Sequence, residues 1–267
     1  MTSSLETTLP RRLAAEALGT GFLLMSVVGS GILGARLSGG NDGLALLVNA
    51  LATSAALFAL IEWLAPISGA HFNPLVSLAL AFRGDVSGRM ALAYLPAQII
   101  GAIAGVGIAN AMFDAPVCAF STHARNGASI WLGEFVATFG LLGAVWTCSL
   151  LRPSSTAGVV AAYIGAAFWF TPTDFANPAV TLARALTDSF SGIRPSDVPG
   201  FIVAEMAGAA AAVAMFRWLL PQPAGVSSSC RAGPNARIST SAASVRPDAW
   251  CRSSQRSDAD GSAPSQS

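Results

Sequence analysis

Two stretches decide the fold: Ser68-Gly69-Ala70-His71-Phe72-Asn73-Pro74-Leu75 and Thr173-Asp174-Phe175-Ala176-Asn177-Pro178-Ala179-Val180. Asn is a good helix N-cap and Pro is favoured at the first helical position, so each Asn-Pro pair opens a helix. The apolar runs that follow, 73–82 and 177–187, are short. A membrane crossing takes about 20 apolar residues, so both runs read as re-entrant half-helices.

Outward from these motifs lie six longer apolar segments, at 13–35, 44–65, 90–112, 128–151, 156–171 and 198–220. They fall into a repeat. The first half carries Ala15-Glu16-Ala17-Leu18-Gly19-Thr20, Asn73-Pro74-Leu75 and Ala97-Gln98-Ile99-Ile100-Gly101-Ala102; the second carries Gly133-Glu134-Phe135-Val136-Ala137-Thr138, Asn177-Pro178-Ala179 and Ala204-Glu205-Met206-Ala207-Gly208-Ala209. Each half holds three spans and one half-helix. Three is odd, so the second half enters from the opposite face and the repeats are inverted. The expected fold is an all-α membrane protein of six transmembrane helices and two re-entrant half-helices.

Composition agrees. Of 267 residues, 53% are hydrophobic and 11% charged, against about 25% charged in soluble domains. Mean hydropathy is +0.57. All fifteen basic residues are Arg, and fourteen acidic ones leave a net charge of +1. This excludes a basic nucleic-acid binder, an acidic disordered chain and a water-soluble globule; the partner is a lipid bilayer. Four cysteines without a CxxC pair and only two histidines give no metal site and no disulfide framework. No nucleophile–base pair or phosphate loop is present, so no catalytic residue and no cofactor is expected.

Arg11 and Arg12 precede an apolar segment too long for a signal peptide, which reads as a retained first span. Residues 1–10 form a short N-terminal tail and 11–220 the membrane domain, with repeats at about 11–112 and 128–220. Residues 221–267 are rich in Ser, Ala, Pro and Arg; they read as a disordered tail holding Cys230 and Cys251. Arg11, Arg12, Arg83, Arg89, Arg152, Arg217 and five tail arginines share one side, against Arg36, Arg125, Arg184 and Arg194 on the other. The excess places both termini in the cytoplasm of a multi-pass plasma-membrane protein.

In inverted repeats the two half-helix starts meet near the midplane, where their positive dipole ends converge. Capping bonds fix each Asn side chain, and its NH₂ group is free to face a lumen. Such a point disfavours cations and protons and admits small neutral hydrogen-bonding solutes.

The paired motif, with the Glu and Thr of the first and fourth spans, resembles the major intrinsic protein family, the aquaporins and glycerol facilitators, over residues 11–220. The resemblance implies a right-handed bundle, one pore per subunit, a homotetramer, and Asn73 and Asn177 as the central pore asparagines. Leu75 stands where that family usually has Ala, within the Asn73-Pro74-Leu75 and Asn177-Pro178-Ala179 motifs. Counting from the asparagines by the family's spacing puts Thr53, Gly165, Asp174 and Val180 in the selectivity filter. The usual filter Arg and aromatic rings are absent from these positions. A wide filter suits glycerol-like polyols, water and metalloid hydroxides such as arsenite. Phe175-Ala176-Asn177-Pro178-Ala179-Val180 resembles channels of bacterial arsenic-resistance systems.

The remaining polar residues carry narrower expectations. Asp174 either faces the lumen ionised, attracting cations, or caps its loop through backbone N–H groups, and the capping reading is preferred. Arg184 is expected to pair with Asp188 at i+4 rather than to replace the missing filter Arg. Glu16 and Glu134 sit in apolar spans at matched sites; bonding the half-helix loops suits them better than a proton relay. Gln98 and Glu205 are expected to work similarly. His71 lies at the cytoplasmic mouth and reads as a hydrogen-bonded loop residue rather than a pH gate. Gly101 and Gly105 form a GxxxG pair for close contact, either internal or between subunits. The rival to a passive channel is an ion-coupled secondary transporter, which also uses inverted repeats and broken helices.

Overall fold

In the computed structural model, residues 7–220 are described. They form eight α-helices: α1 (Leu9–Leu37), α2 (Asp42–Ser68), α3 (Pro74–Arg83), α4 (Gly88–Met112), α5 (Ala128–Leu151), α6 (Thr156–Phe170), α7 (Pro178–Arg184) and α8 (Val198–Leu219). The proposed tail at 221–267, with Cys230 and Cys251, lies outside the described residues.

Helices α1, α2, α4, α5 and α8 are long and apolar enough to cross a membrane. The 15-residue α6 completes the six spans, preceded by a 3-10 turn at Pro153–Ser155. At 1.5 Å per residue α6 rises about 22 Å, short of a full hydrocarbon core, and the turn adds the rest. Long side chains such as Leu18, Trp63, Leu92, Ile100, Leu132, Val203 and Trp218 point outward. That is the surface a bilayer solvates, and in water it would be a liability. Trp63 and Trp218 sit near helix ends, where amphipathic rings suit the interface.

The helix ends follow local chemistry. The Asn41 side chain accepts from Leu44 N at 3.1 Å and that of Ser87 from Met90 N at 3.2 Å, capping α2 and α4. Gly84 closes α3 in the left-handed region (φ 95°), with its N–H returned to Leu80 and Ala81 carbonyls. Half-helix α7 ends at Arg184 rather than running to 187, because the chain turns there and Ile193 N bonds back to Arg184 O at 3.3 Å.

Two close helix crossings hold the repeats. A Cβ on Gly101 would overlap the Ala17 carbonyl, and one on Gly105 the Gly21 carbonyl, so this pair packs α4 against α1 within the chain. Gly208 meets Phe135 in the same way where α8 crosses α5. Backbones approach closely only where no side chain intervenes, and in lipid such packing carries the association.

Gly101→Val forces a branched side chain into the Ala17 backbone, an overpacking that costs about 1–3 kcal/mol. The expected result is a melting temperature several degrees lower for the detergent-purified protein. Gly88→Ala, where a Cβ meets open space, should leave it unchanged.

Candidate functional site

Asn73 and Asn177 begin α3 and α7 and meet at the centre of the molecule. The Asn73 side-chain oxygen accepts from Leu75 N at 2.9 Å, and that of Asn177 from Ala179 N at 3.0 Å and Val180 N at 3.4 Å. Each carboxamide NH₂ then crosses to the other repeat. Asn73 Nδ2 donates to Ala176 O and Asn177 Nδ2 to Phe72 O, both at 2.8 Å. An NH₂ group has two N–H bonds, so each asparagine keeps one for the lumen it lines.

The two acceptor carbonyls belong to residues in the left-handed region, Phe72 (φ 50°) and Ala176 (φ 47°). Side chains rarely adopt that backbone, and something must hold it. Glu16 and Glu134 do. Glu16 accepts from His71 N at 3.0 Å, Phe72 N at 2.8 Å and Ser68 Oγ at 2.6 Å. Glu134 accepts from Phe175 N at 3.1 Å and Ala176 N at 2.9 Å. The matched partners differ in detail. Gln98 Nε2 donates to Glu16 at 2.8 Å and to Ser77 Oγ at 3.0 Å, whereas the Glu205 carboxylate accepts from Asn177 N at 3.2 Å and Thr181 Oγ1 at 2.6 Å. Ser77 and Thr181 each lie four residues past their asparagine, a pairing the sequence reading missed.

A cavity of about 130 Å³ runs past the two asparagines from Asp174 and Arg184 to Ser149 and Thr156. Thr53, Val180, Asp174 and His71 line it. His71 Nδ1 also lies 3.0 Å from Ser77 Oγ and its ring packs edge-on against Tyr94, so it is bonded and lumen-facing at once. Leu75 is buried in the core, away from the lumen. Gly165 faces Ser54 across the α6–α2 contact, and Ile164 and Phe168 make the wall on that side. A second cavity of about 220 Å³ continues outward and shares Phe168, Asp174, Phe175 and Arg184 with the first. Rings are therefore present near the filter, at Phe168 and Phe175, although not at the counted positions.

Two expectations fail here. Asp174 does not cap its loop: neither carboxylate oxygen accepts a hydrogen bond. Glu134 already holds the N–H groups of Phe175 and Ala176. Arg184 does not pair with Asp188, because α7 has ended and no i+4 face exists. Asp188 instead accepts from Thr122 N at 2.8 Å and Thr122 Oγ1 at 3.0 Å, with His123 at 3.4 Å. The Thr122 backbone N–H holds its carboxyl below the usual carboxylate range. Arg184 stays beside the lumen, buried, its guanidinium stacked 3.4 Å from the Phe175 ring centroid. The signal was legible: Arg184 lies four residues after Val180, on the same helix face.

Comparisons with known proteins agree with the fold. The family model for the major intrinsic protein matches residues 3–171. Aquaglyceroporin AqpS of Rhizobium meliloti (strain 1021) is 51% identical over 217 residues, covering 81% of this chain and 92% of that protein. Aquaporin-5 of Sus scrofa is 31% identical over 185 residues, covering 64% of this chain and 68% of that protein. The X-ray structure of the aquaglyceroporin from Plasmodium falciparum aligns with a TM-score of 0.61 at 20% identity, over 78% of this chain and 96% of that one, a likeness of fold.

Glu134→Ala leaves two buried backbone N–H groups without an acceptor, at about 1–3 kcal/mol each. The expected outcome is a large loss of folded protein and of any flux. Glu134→Gln keeps an acceptor oxygen, and its melting temperature should fall between those of wild type and the Ala variant.

Proposed function

This chain belongs to the major intrinsic protein family, and on that footing we propose that it is a passive transmembrane channel for glycerol and other small uncharged solutes. The observation that carries this is the pair of crossed asparagines, each with one free N–H, on the wall of a continuous cavity. The rest of that wall is mainly apolar, with Leu23, Val27, Val76, Leu141, Val145 and Val160. An ion entering it would shed water for almost nothing, whereas a neutral hydroxyl needs one or two partners and finds them at Asn73, Asn177 and Thr53.

Val180 in place of a long cationic side chain keeps the outer constriction wide. The filter then comprises Thr53, Asp174 and Val180, with Gly165 contributing only its lack of a side chain. Such an opening suits polyols and the neutral trihydroxide form of arsenite as well as water. Glu16 and Glu134 are occupied by backbone N–H groups, so neither is free to serve as the coupling carboxylate that a transporter needs. The family supports a homotetramer, and the arginine distribution supports cytoplasmic termini in a plasma membrane, with 11–220 as the channel domain.

Vesicles containing the purified protein should swell in a glycerol gradient faster than empty ones, at a rate unchanged when a proton gradient is collapsed. Equal rates with and without protein would remove the glycerol assignment, and strict proton dependence would replace the channel with a transporter. Val180→Arg should reduce glycerol flux by about tenfold or more while sparing water, since it narrows the ring that sets passage.

A further inference from the structure

We propose that Arg184 and Asp174 together form the outer selectivity ring of this channel, with Arg184 supplying from one helical turn farther out the cation that position 180 lacks. The inference rests on the channel reading above and names the groups that select its solutes.

Arg184 closes α7, four residues and about 6 Å beyond Val180 along the helix. Both side chains line the central cavity, and Arg184 also lines the outer one. Arg184 is only 6% exposed. Its Nε donates to Ser191 O, and its guanidinium plane rests on Phe175. The supporting segment is itself fixed. Ser191 Oγ donates to Val27 O at 2.9 Å, while Arg125 donates to Gly192 O at 2.8 Å and Phe190 O at 2.9 Å. Arg184 is therefore held in place through one nitrogen. Its two terminal nitrogens have no hydrogen-bond partner among the described residues.

Asp174 lines the same two cavities. It is 9% exposed, and neither carboxylate oxygen has a partner. No carboxylate lies within 4 Å of the Arg184 or Arg125 guanidinium among the described residues. Burying unpaired charged groups costs several kcal/mol, and a direct ion pair would offset it. The chain leaves donor and acceptor without an ion pair, both on the lining of the same two cavities. A solute that both donates and accepts is the complement: a small polyol or a neutral hydroxide whose adjacent hydroxyls accept from Arg184 and donate to Asp174. An apolar solute leaves both groups unmet, and a cation meets the guanidinium.

The test uses the full chain in lipid vesicles with glycerol, the four-carbon polyol erythritol and an entrapped pH dye. Wild type should pass glycerol and hold a pH step. Arg184→Met removes the donors and leaves Asp174 unopposed. Its erythritol-to-glycerol flux ratio should rise about tenfold, the scale of one charge-assisted hydrogen bond, and the pH step should decay. Adding Asp174→Asn should remove the decay and keep the raised ratio. Adding Val180→Arg to Arg184→Met should restore the wild-type ratio. An Arg184→Met channel with wild-type ratio and an intact pH step overturns the proposal while leaving the channel reading standing; absence of glycerol flux in wild type overturns both. If Arg184→Met does not fold, Arg184→Lys decides. It keeps the charge but loses the stacked fork, so a raised ratio with the pH step held supports the ring, and an unchanged ratio overturns it.

Discussion

The structure depends on one reciprocal contact, each asparagine carboxamide bonded to the backbone carbonyl that precedes the other. Asn73 Nδ2 reaches Ala176 O, and Asn177 Nδ2 reaches Phe72 O. These bonds join residues more than a hundred positions apart, and they fix two half-helix tips that would otherwise have no common anchor. The contact is possible only because Phe72 and Ala176 turn their carbonyls inward from a left-handed backbone. Each such turn costs about 1–2 kcal/mol for a residue with a side chain. Buried carboxylates from α1 and α5 offset it by taking the loop N–H groups. A buried carboxyl group in the membrane thus serves the fold, and its expense is met by backbone donors that have no water to bond.

The two repeats share this plan but lock it differently. On the first side Glu16 sits in a chain with Ser68, Gln98 and Ser77, and His71 touches the end of it. On the second side two carboxylates, Glu134 and Glu205, divide the work. Charge is therefore concentrated in the second repeat. The arginines of the outer vestibule, Arg125 and Arg184, lie on that side, against the same Phe175 ring. A symmetric backbone carries an asymmetric field, as solute selection at one mouth requires.

Much of this was legible in the sequence because it follows from periodicity and capping. Six apolar runs, two Asn-Pro starts and matched Glu positions specify the inverted repeat without any tertiary information. The half-helix lengths were less accessible, since apolarity continues past Arg184 while the backbone has already turned to meet Ile193. Asp174 was misread because capping is a local rule, and a residue from another helix, Glu134, had claimed the local donors. Arg184 was misread for the same reason: an i+4 partner presumes that the helix continues. Gly165 shows the limit of counting, because a position can match in number and still face a neighbouring helix, here at Ser54.

The scaffold and the selective surface divide the polar groups between them. The groups that hold the half-helix loops are occupied: the Glu16 and Glu134 carboxylates and the asparagine oxygens all have partners. Groups that line the passage are partly open: one N–H on each asparagine, the Thr53 hydroxyl, the Asp174 carboxylate and the terminal nitrogens of Arg184. In a hydrocarbon-embedded protein an unmet polar group is expensive. Those left unmet along one continuous path mark where a passing solute supplies the missing bonds. On the proposed reading, specificity is set by what the fold leaves unpaired, and a substitution that satisfied these groups internally would close the pathway chemically without narrowing it.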